Sequence, residues 1–294
     1  MAETVRLFHL PFSFMLPQRV ACERGYFAEE GLDVELVERD RADVDWKYIP
    51  AEETLTGDND VDLYPVCKWE SIKRTWDMND GRIVAKGTFA DQPYTVFTRP
   101  ETDVESPADL AGEPVGVNMR TGQEYTARRA LEEYMPASEV ELEHHGMPTN
   151  RLRALRDGEV AAVSLLEPHT TLAGRLGFQP LLGFDNHMGI VGAEHIDDEH
   201  MDAFMRGYAR AVEDINDDPD AFREEYLAML EDDLEEAPDL FESVDLGALR
   251  ETIEVPEYEA PELADRDDLD EQLRWMKRRG LIDDEADIGA IVAR

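Results

Sequence analysis

The sequence contains 294 residues, 42% of them hydrophobic, which is enough for two domains of ordinary size with their own cores. It has 68 acidic and 29 basic residues and a formal net charge of −39, a balance that excludes nonspecific binding to the phosphates of nucleic acids. No apolar run reaches the roughly 18 residues that a membrane-spanning helix needs, so we expect no membrane insertion.

The acidic residues are distributed along the whole chain, and regular apolar periodicity accompanies them. This periodicity argues against intrinsic disorder and favours a folded surface adapted to concentrated salt, where carboxylates stay hydrated and screening weakens their mutual repulsion. The two cysteines, Cys22 and Cys67, are too few for a secreted disulfide framework. Cys22 falls in a predicted helix, and we interpret it as a buried small hydrophobe.

The N-terminal segment MAETVRLFHLPFSF lacks the basic residues and long apolar run of a secretory leader. If residue 1 is the native start, we expect a cytoplasmic protein. A chain whose leader had been removed would look the same and would be extracytoplasmic.

The first predicted unit spans residues 4–38. TVRLFHL is a short β-rich run, MLPQRVACERGYF has one apolar side with Gly25 as a helix terminator, and LDVELVE alternates apolar and acidic residues as a half-buried strand does. A crossover of this length predicts parallel strands with a right-handed connection.

The alternation of strands and helices continues to residue 184. After a short helix and a turn at Gly57–Asn59, we predict strands at 61–64, 81–89, 93–100, 114–118, 139–146, 160–168 and 178–184. The predicted helices among them are at 70–79, 121–135, 150–159 and 169–177. Ser106 and Pro107 begin a capped helical turn.

The C-terminal third is mainly helical. EHMDAFMRGYARAVEDIN carries an apolar face, DPDAFREEYLAMLE is a second helix, and LDEQLRWMKRRGLID is a closing helix. Before the closing helix, EVPEYEAPELADRDD is rich in Pro and Glu, and we predict an extended chain. The pattern is that of an α/β protein, whose ligand site is expected at the carboxyl ends of strands, beside helix N-termini.

Four stretches and a closing segment occur in the order that one family shows. They are RGYFAEEGLDVEL, GDNDVDLYP, ESPADLAGEPVGVNMRTGQEY, RLRALRDGEVAAVSLLEPHTTLA and the closing WMKRRGLID. Together they resemble the type 2 periplasmic solute-binding proteins of the nitrate, sulfonate and taurine branch. The cytosolic eukaryotic enzyme that makes the pyrimidine of thiamin shares this fold and signature.

The resemblance implies a fold of two lobes, each a mixed, mostly parallel sheet flanked by helices. Lobe 1 would comprise residues 1–95 and 188–294, with the C-terminal helices packed on it, and lobe 2 would comprise residues 96–187. The chain would cross between the lobes near Tyr94–Arg99 and near Phe184–Ile190. The two lobes would close on a ligand by a hinge motion.

The segment NMRTGQEY gives the most specific binding signal. Arg120 offers a guanidinium fork, Thr121 offers a hydroxyl, and the backbone N–H groups around Gly122 lie at the start of a predicted helix. A guanidinium beside a helix N-terminus favours an anionic ligand. An ordinary N-cap would explain Thr121 but not the position of Arg120.

The loop HLPFSF after the first strand faces the cleft in the family. His9, Phe12 and Ser13 combine aromatic surface with hydrogen-bonding groups, and we expect them to form a wall of the site together with Tyr94. The alternative for Phe12 is a place in the core of the lobe.

The segment PVCKWE follows another predicted strand. Lys68 is one of few lysines and would pair with an anionic ligand, and Trp69 would offer a flat surface to it. The alternatives are a surface ion pair for Lys68 and a core position for Trp69.

Two later loops complete the set of candidates. Glu167 ends a predicted buried strand and would accept from a ligand amine or hold Arg120. His187 lies at the predicted return crossover, beside Asn186. The histidines, His169 included, have no local ligand spacing, so we expect neither a metal site nor a cofactor.

Three functions remain open from the sequence. The first, which we favour, is a solute-binding protein of the ABC-transporter type with a small organic anion as ligand and an ABC permease as partner. The second is a cytosolic enzyme on the same fold, similar to thiamin-pyrimidine synthase or to an aromatic-acid decarboxylase. The cysteine cluster of those synthases is missing here, and Lys68 is offset from their lysine. The third is a cytosolic ligand sensor or carrier.

Overall fold

A computed structural model describes residues 4–10, 12–38, 61–78, 81–89, 94–185, 187–228 and 230–293. The helix and turn predicted before residue 60, and the candidate Asn186, lie outside these described residues. The strands are β1 (Thr4–His9), β2 (Asp33–Glu38), β3 (Leu63–Cys67), β4 (Arg82–Phe89), β5 (Tyr94–Thr98), β6 (Pro114–Val117), β7 (Glu141–His144), β8 (Ala162–Leu165), β9 (Gln179–Phe184), β10 (Met188–Gly192) and β11 (Tyr258–Leu263).

The helices flank the strands along the whole described chain. They are α1 (Leu16–Glu23), α2 (Tyr26–Glu29), α3 (Lys68–Met78), α4 (Gly122–Leu131), α5 (Pro148–Asp157), α6 (His169–Arg175), α7 (Asp198–Asp217), α8 (Arg223–Ala228), α9 (Glu231–Glu236), α10 (Pro238–Phe241), α11 (Leu246–Thr252), α12 (Arg266–Arg278) and α13 (Ile288–Ile291). Short 3-10 helices lie at Ser13–Met15, Pro107–Leu110, Ala137–Glu139 and Pro219–Phe222. Among the described residues, no helix is both long and apolar enough to cross a membrane.

The strands form two sheets. The first has the order β11-β4-β10-β3-β1-β2 and the second the order β7-β6-β8-β5-β9. In the first sheet β1 is parallel to β2 and β3, whereas β10 is antiparallel to β3 and β4, and β11 is antiparallel to β4. In the second sheet β6 is parallel to β7 and β8, and β5 is antiparallel to β8 and β9. The predicted α/β class with two mixed sheets is confirmed, and four strands of each sheet run in the same direction.

Strands β5 and β10 are the first strands that the chain forms after it passes from one sheet to the other. The chain leaves the first sheet after Phe89 and enters the second at Tyr94, and it returns between Phe184 and Met188. Each arriving strand is inserted between two strands of opposite direction. These passages adjoin the two crossovers that the resemblance implies.

The opening β-α-β unit forms as predicted. β1 and β2 pair in parallel from Thr4 opposite Asp33 to His9 opposite Glu38. Gly25 lies between α1 and α2 with φ 76°, a left-handed conformation in which a glycine has no Cβ to clash. The next strand differs from its prediction: β3 runs over Leu63–Cys67 and so ends three residues later than predicted.

Apolar side chains of the first sheet alternate between its two faces. Val5 and Leu7 pack with α7 in one cluster, whereas Phe8 and Leu10 pack with α12 in a second cluster on the opposite face. The second sheet has two smaller clusters, one of which contains Phe97. Helix α12 therefore belongs to the first sheet, as expected for the C-terminal helices.

Helices α9 and α10 depart from that expectation. Ala237, Leu240 and Phe241 are buried in the cluster of the second sheet that contains Phe97. The fully buried Asp233 adds a contact of 2.7 Å between its Oδ2 and Nε2 of His169 on α6. The apolar face of this segment matches the surface of α5 and α6, so part of the C-terminal chain packs on the second sheet.

Gly207 on α7 marks a close approach between helices. A Cβ atom at this position would lie 2.5 Å from Cδ1 of Phe27, whose ring stacks on Phe204 with centroids 5.1 Å apart. We expect Gly207→Ala to lower the free energy of unfolding by about 1–3 kcal/mol, because the buried Phe27 ring has little room to move. Thermal unfolding measures this change.

Gly174→Ala is the matched control for that prediction. Gly174 also lies inside a helix, α6, but an added Cβ would meet nothing within 4 Å. This replacement should raise stability by about 0.5–1 kcal/mol through helix propensity alone. Equal effects of the two replacements would contradict the packing argument.

Candidate functional site

A cavity of about 150 Å³ lies between the two sheets. The side of the first sheet contributes Phe8, Leu10, Phe12, Phe14, Met15, Tyr64, Pro65, Val66, Cys67, Glu70, Arg74 and Met188. The side of the second sheet contributes Tyr94, Asn118, Arg120, Thr121, Gly122, Gln123, Met147, Pro148, Arg151 and Leu166. Most of this lining is apolar, and its charged residues are three arginines and one glutamate.

The N-terminal ends of two helices face the cavity from the second sheet. Thr121 is the N-cap of α4: its Oγ1 accepts from the backbone N–H of Gln123 at 3.2 Å and donates to the carbonyl of Asn118 at 2.7 Å. Pro148 is the first residue of α5. Helix N-termini carry positive partial charge, so this wall favours an anion.

Arg151 is the strongest electrostatic feature of the cavity. It is 2% exposed, and no carboxylate of a described residue forms an ion pair with it. One Nη donates to the carbonyl of Ser164, while Nε has no hydrogen-bond partner in the described protein. Burial lowers the pKa of Arg151 to about 9, so the guanidinium remains cationic at neutral pH. A buried cation without an acidic partner is costly unless an anion joins it.

Gln123 adds a second buried donor beside this arginine. Its Oε1 accepts from Oγ of Ser164 at 2.7 Å, which fixes the amide orientation and leaves Nε2 without a partner. Gln123 is 5% exposed. The cavity wall therefore contains two donors, on Arg151 and Gln123, that an oxyanion would satisfy.

Arg120 lies at the same wall in an unusual backbone conformation. Its φ of 62° is in the left-handed region, and it is the one described non-glycine residue with positive φ. Its backbone N–H donates to Oε2 of Glu124 at 2.7 Å. Such strained residues cost about 1–3 kcal/mol and occur preferentially at functional sites.

The wall of the first sheet combines aromatic rings with a buried ion pair. Phe12 and Phe14 are stacked with centroids 5.3 Å apart. Nε of Arg74 lies 3.4 Å from Oε2 of Glu70, and both side chains are largely buried. Burial raises the pKa of Glu70 although Arg74 opposes the shift. Burial, and then the charge of Glu70, raises the pKa of the Cys67 thiol.

Five of the residues singled out in the sequence line this cavity: Phe12, Tyr94, Arg120, Thr121 and Gly122. Tyr94 is 5% exposed and stacks on the Phe184 ring, with centroids 6.0 Å apart. The cavity thus joins the predicted anion-binding segment to part of the predicted aromatic wall.

Six others lie outside the lining. His9 is 3% exposed, and burial followed by the charge of Arg19 lowers its pKa to about 3. Strand alternation explains its position, because Phe8 and Leu10 on either side line the cavity and His9 points to the other face. Ser13 donates from Oγ to the carbonyl of Glu167 at 2.8 Å and so joins the two sheets.

Trp69, Lys68 and His187 are grouped behind the cavity wall. Trp69 is 1% exposed and donates from Nε1 to Oγ1 of Thr126 at 2.9 Å. The backbone N–H of Lys68 donates to the carbonyl of His187 at 3.0 Å. Burial is the main cause that lowers the pKa of both Lys68 and His187.

Glu167 faces a separate cavity of about 560 Å³. Its carboxylate accepts from the hydroxyl of Thr171 at 3.0 Å and from the backbone N–H of the same residue at 3.3 Å. The carboxylate therefore caps the first turn of α6 and does not contact Arg120.

Arg151 and Gln123 were not predicted from the sequence, although the sequence contains one signal for Arg151. It stands in the first turn of α5, where a cation opposes the helix dipole. A basic residue in the first turn of a helix is unfavourable for the helix itself. Where such a residue follows a strand-to-helix connection, it is a candidate for ligand binding.

The comparisons with known proteins agree with this arrangement. A profile of the NMT1/THI5-like family matches residues 15–175, more than half of the chain. The chain belongs to this family. The match includes 17 of the 22 residues that line the cavity, among them those on β3, α4 and α5, and it confirms the resemblance seen in the sequence. No curated protein matches the chain in sequence.

Solved structures share the fold over nearly the whole chain. The alkanesulfonate-binding protein SsuA from Xanthomonas axonopodis pv. citri, bound to MOPS, is 11% identical with a TM-score of 0.74, covering 100% of this chain and 99% of its own. The periplasmic aliphatic sulphonate binding protein SsuA from Escherichia coli is 13% identical with a TM-score of 0.70, covering 100% and 93%. The desulfurization enzyme DSZB is 14% identical with a TM-score of 0.59, covering 99% and 96%. These likenesses establish a two-sheet binding-protein fold.

Proposed function

We propose that this chain is a solute-binding protein of the ABC-import type that closes on a small organic anion. The observation that carries the proposal is Arg151, a buried guanidinium in the cavity wall with no acidic partner among the described residues. Gln123 and the N-terminus of α4 supply uncharged donors beside it. Two SsuA proteins of the same fold are named as sulfonate-binding, so organic sulfonates and carboxylates are the first ligands to test.

The size and polarity of the cavity limit the ligand. A cavity of about 150 Å³ is comparable to an apolar cavity that holds one benzene ring. The rings of Phe12 and Phe14 on the first-sheet side and of Tyr94 on the second-sheet side suit an apolar body, and the donors on the second-sheet side suit a single anionic group. We therefore propose a monoanion with a compact apolar part.

The two sheets correspond to two lobes in this proposal. Lobe 1 is formed by the described residues of 1–89 and 188–294, apart from the segment around α9 and α10, and lobe 2 by residues 94–185. The boundary expected at residue 95 is moved, because β5 joins the second sheet from Tyr94 onward. The solute-binding role implies a permease as the partner and an extracytoplasmic location, which the periplasmic SsuA from Escherichia coli supports.

An enzymatic role has weaker support in the cavity. Cys67 lines it, but burial raises the pKa of this thiol, so the nucleophilic thiolate is scarce at neutral pH. Lys68, the lysine that an activity like that of thiamin-pyrimidine synthase would require, does not line the cavity. Native mass spectrometry of protein from its host should show a bound organic anion, and a pyridoxal phosphate adduct on Lys68 would contradict the proposal.

Two replacements of Arg120 test the anion site. Arg120→Ala and Arg120→Gly both remove the guanidinium, and we expect each to weaken binding of the best sulfonate or carboxylate by about tenfold. Only the glycine relieves the left-handed strain, so it should unfold with a free energy about 1 kcal/mol higher than the alanine variant. Isothermal titration calorimetry and thermal unfolding measure the two effects. Unchanged affinity in both variants would remove Arg120 from the site.

A further inference from the structure

Helix α4 is held at both ends. Its N-terminal residues Thr121 and Gly122 line the anion cavity, and it packs on the second sheet. Its C-terminal end contacts α12, which packs on the first sheet. Any separation of the two sheets must therefore break the contacts at the C-terminal end.

Glu132, the C-cap of α4, makes the most specific of these contacts. Its carboxylate accepts from Nε1 of Trp275 at 3.0 Å, and from Nε and Nη2 of Arg279 at 2.8 and 2.6 Å. Burial raises the pKa of Glu132, but the hydrogen bonds from Arg279 and Trp275 outweigh burial and leave the pKa below its usual value. A carboxylate at a helix C-terminus opposes the helix dipole, so α4 itself gains nothing from this residue.

Further contacts surround this carboxylate. Nη2 of Arg129 on α4 lies 2.6 Å from Oε1 of Glu271 on α12. The Trp69 ring lies between Trp275 and Tyr125, with centroid distances of 5.1 and 6.5 Å. The contacts of Arg129 with Glu271 and of Tyr125 with Trp69 each join α4 to a helix that packs on the first sheet, whereas the contact of Trp69 with Trp275 lies within the first sheet.

We propose that Glu132 is a positioning residue for the anion site, which it serves by fastening α4 to Trp275 and Arg279 when the sheets are closed. The inference rests on the proposed function. Glu132 lies at the far end of a ten-residue helix, about 15 Å from the N-terminal donors, and so acts without touching the ligand. Contacts that form only in the closed arrangement raise its population, and the ligand then dissociates more slowly.

The test is Glu132→Gln, which keeps the shape and an acceptor but removes the charge. We expect the dissociation rate of the best organic sulfonate or carboxylate to rise about tenfold, with an association rate that changes less than twofold. Stopped-flow fluorescence measures both rates. Small-angle X-ray scattering of the ligand-free protein should show a larger radius of gyration, because the closed population falls.

Two further variants separate positioning from general stability. The charge exchange Glu132→Arg with Arg279→Glu should recover part of the slow dissociation, because the ion pair is re-formed in reverse while the hydrogen bond from Trp275 is lost. Glu29→Gln removes an ion pair of 2.8 Å to Arg210, and both partners lie on helices, α2 and α7, that pack on the first sheet. This control should leave both rates unchanged.

The outcomes distinguish this inference from the proposed function. If Glu132→Gln lowers the melting temperature but leaves both the dissociation rate and the radius of gyration unchanged, Glu132 is only structural and the inference is wrong. If no organic anion binds to the unaltered protein, the proposed function fails. The scattering comparison then still decides whether Glu132 favours closure.

Discussion

Arg151→Met is expected to weaken binding of the organic anion by about 100-fold or more, with little loss of fold stability. Removing one partner of a buried charge pair costs about 2–5 kcal/mol of binding free energy. Methionine has a similar length and no charge, so the ligand-free protein loses the penalty of a desolvated guanidinium that has no acidic partner among the described residues. This gain offsets the lost hydrogen bond to the carbonyl of Ser164.

The matched control is Arg153→Met on the same helix. Arg153 is more exposed and pairs with Asp239, outside the cavity. Its replacement should leave affinity within twofold, since exposed ion pairs contribute little. Arg151→Lys should bind with intermediate affinity because it keeps the charge but loses the fork. Titration calorimetry against a sulfonate and a carboxylate measures the series, and full affinity in Arg151→Met would refute the anion site.

Sequence patterns were sufficient to predict the elements whose structure depends on residues close together in the chain. The β1-α1-β2 unit followed from alternation and from Gly25, and the N-cap Thr121 followed from its position before an amphipathic helix. The predicted anion segment lies in the cavity because parallel strands deliver helix N-termini to one sheet edge. These features depend on residues that are neighbours in the sequence, so one sequence is enough to predict them.

The side chains that face the cavity could not be predicted from the sequence in the same way. β3 ends at Cys67 and α3 begins at Lys68. The residues here that line the cavity are Cys67, the last residue of β3, and Glu70 and Arg74 on α3, spaced by three and four residues. Lys68 and Trp69 consequently point elsewhere. A difference of three residues in where one strand ends changed which side chains line the cavity.

Contacts between distant segments were also beyond local rules. Trp69 resembles a ligand platform in sequence, but its ring is enclosed by Trp275 and Tyr125, more than 50 residues away along the chain. Helices α9 and α10 pack on the second sheet because their apolar residues are buried against α5 and α6, where Asp233 also contacts His169. Only the three-dimensional arrangement shows these partners.

Low salt is expected to unfold the protein or to lower its melting temperature by tens of degrees. At most 29 of the 68 carboxylates can be neutralised by a basic residue, so 39 negative charges repel one another over the surface. The screening length is about 30 Å at 0.01 M salt and about 3 Å at 1 M, so concentrated KCl removes most of this repulsion. Neutral osmolytes such as sucrose favour compact states without screening and serve as the comparison.

Neutralising exposed carboxylates should replace part of the salt requirement. Glu235, Glu236 and Glu242 are exposed around α9 and α10, and they contribute to the surplus of negative charge on the surface. Changing all three to glutamine should raise the melting temperature in 0.01 M KCl and change it little in 3 M KCl, because screening has already removed their repulsion there.

If sucrose stabilises the unaltered protein as well as KCl does, its stability depends on solvent exclusion instead of charge. A melting temperature that is equal at both KCl concentrations would contradict the salt-adapted surface altogether.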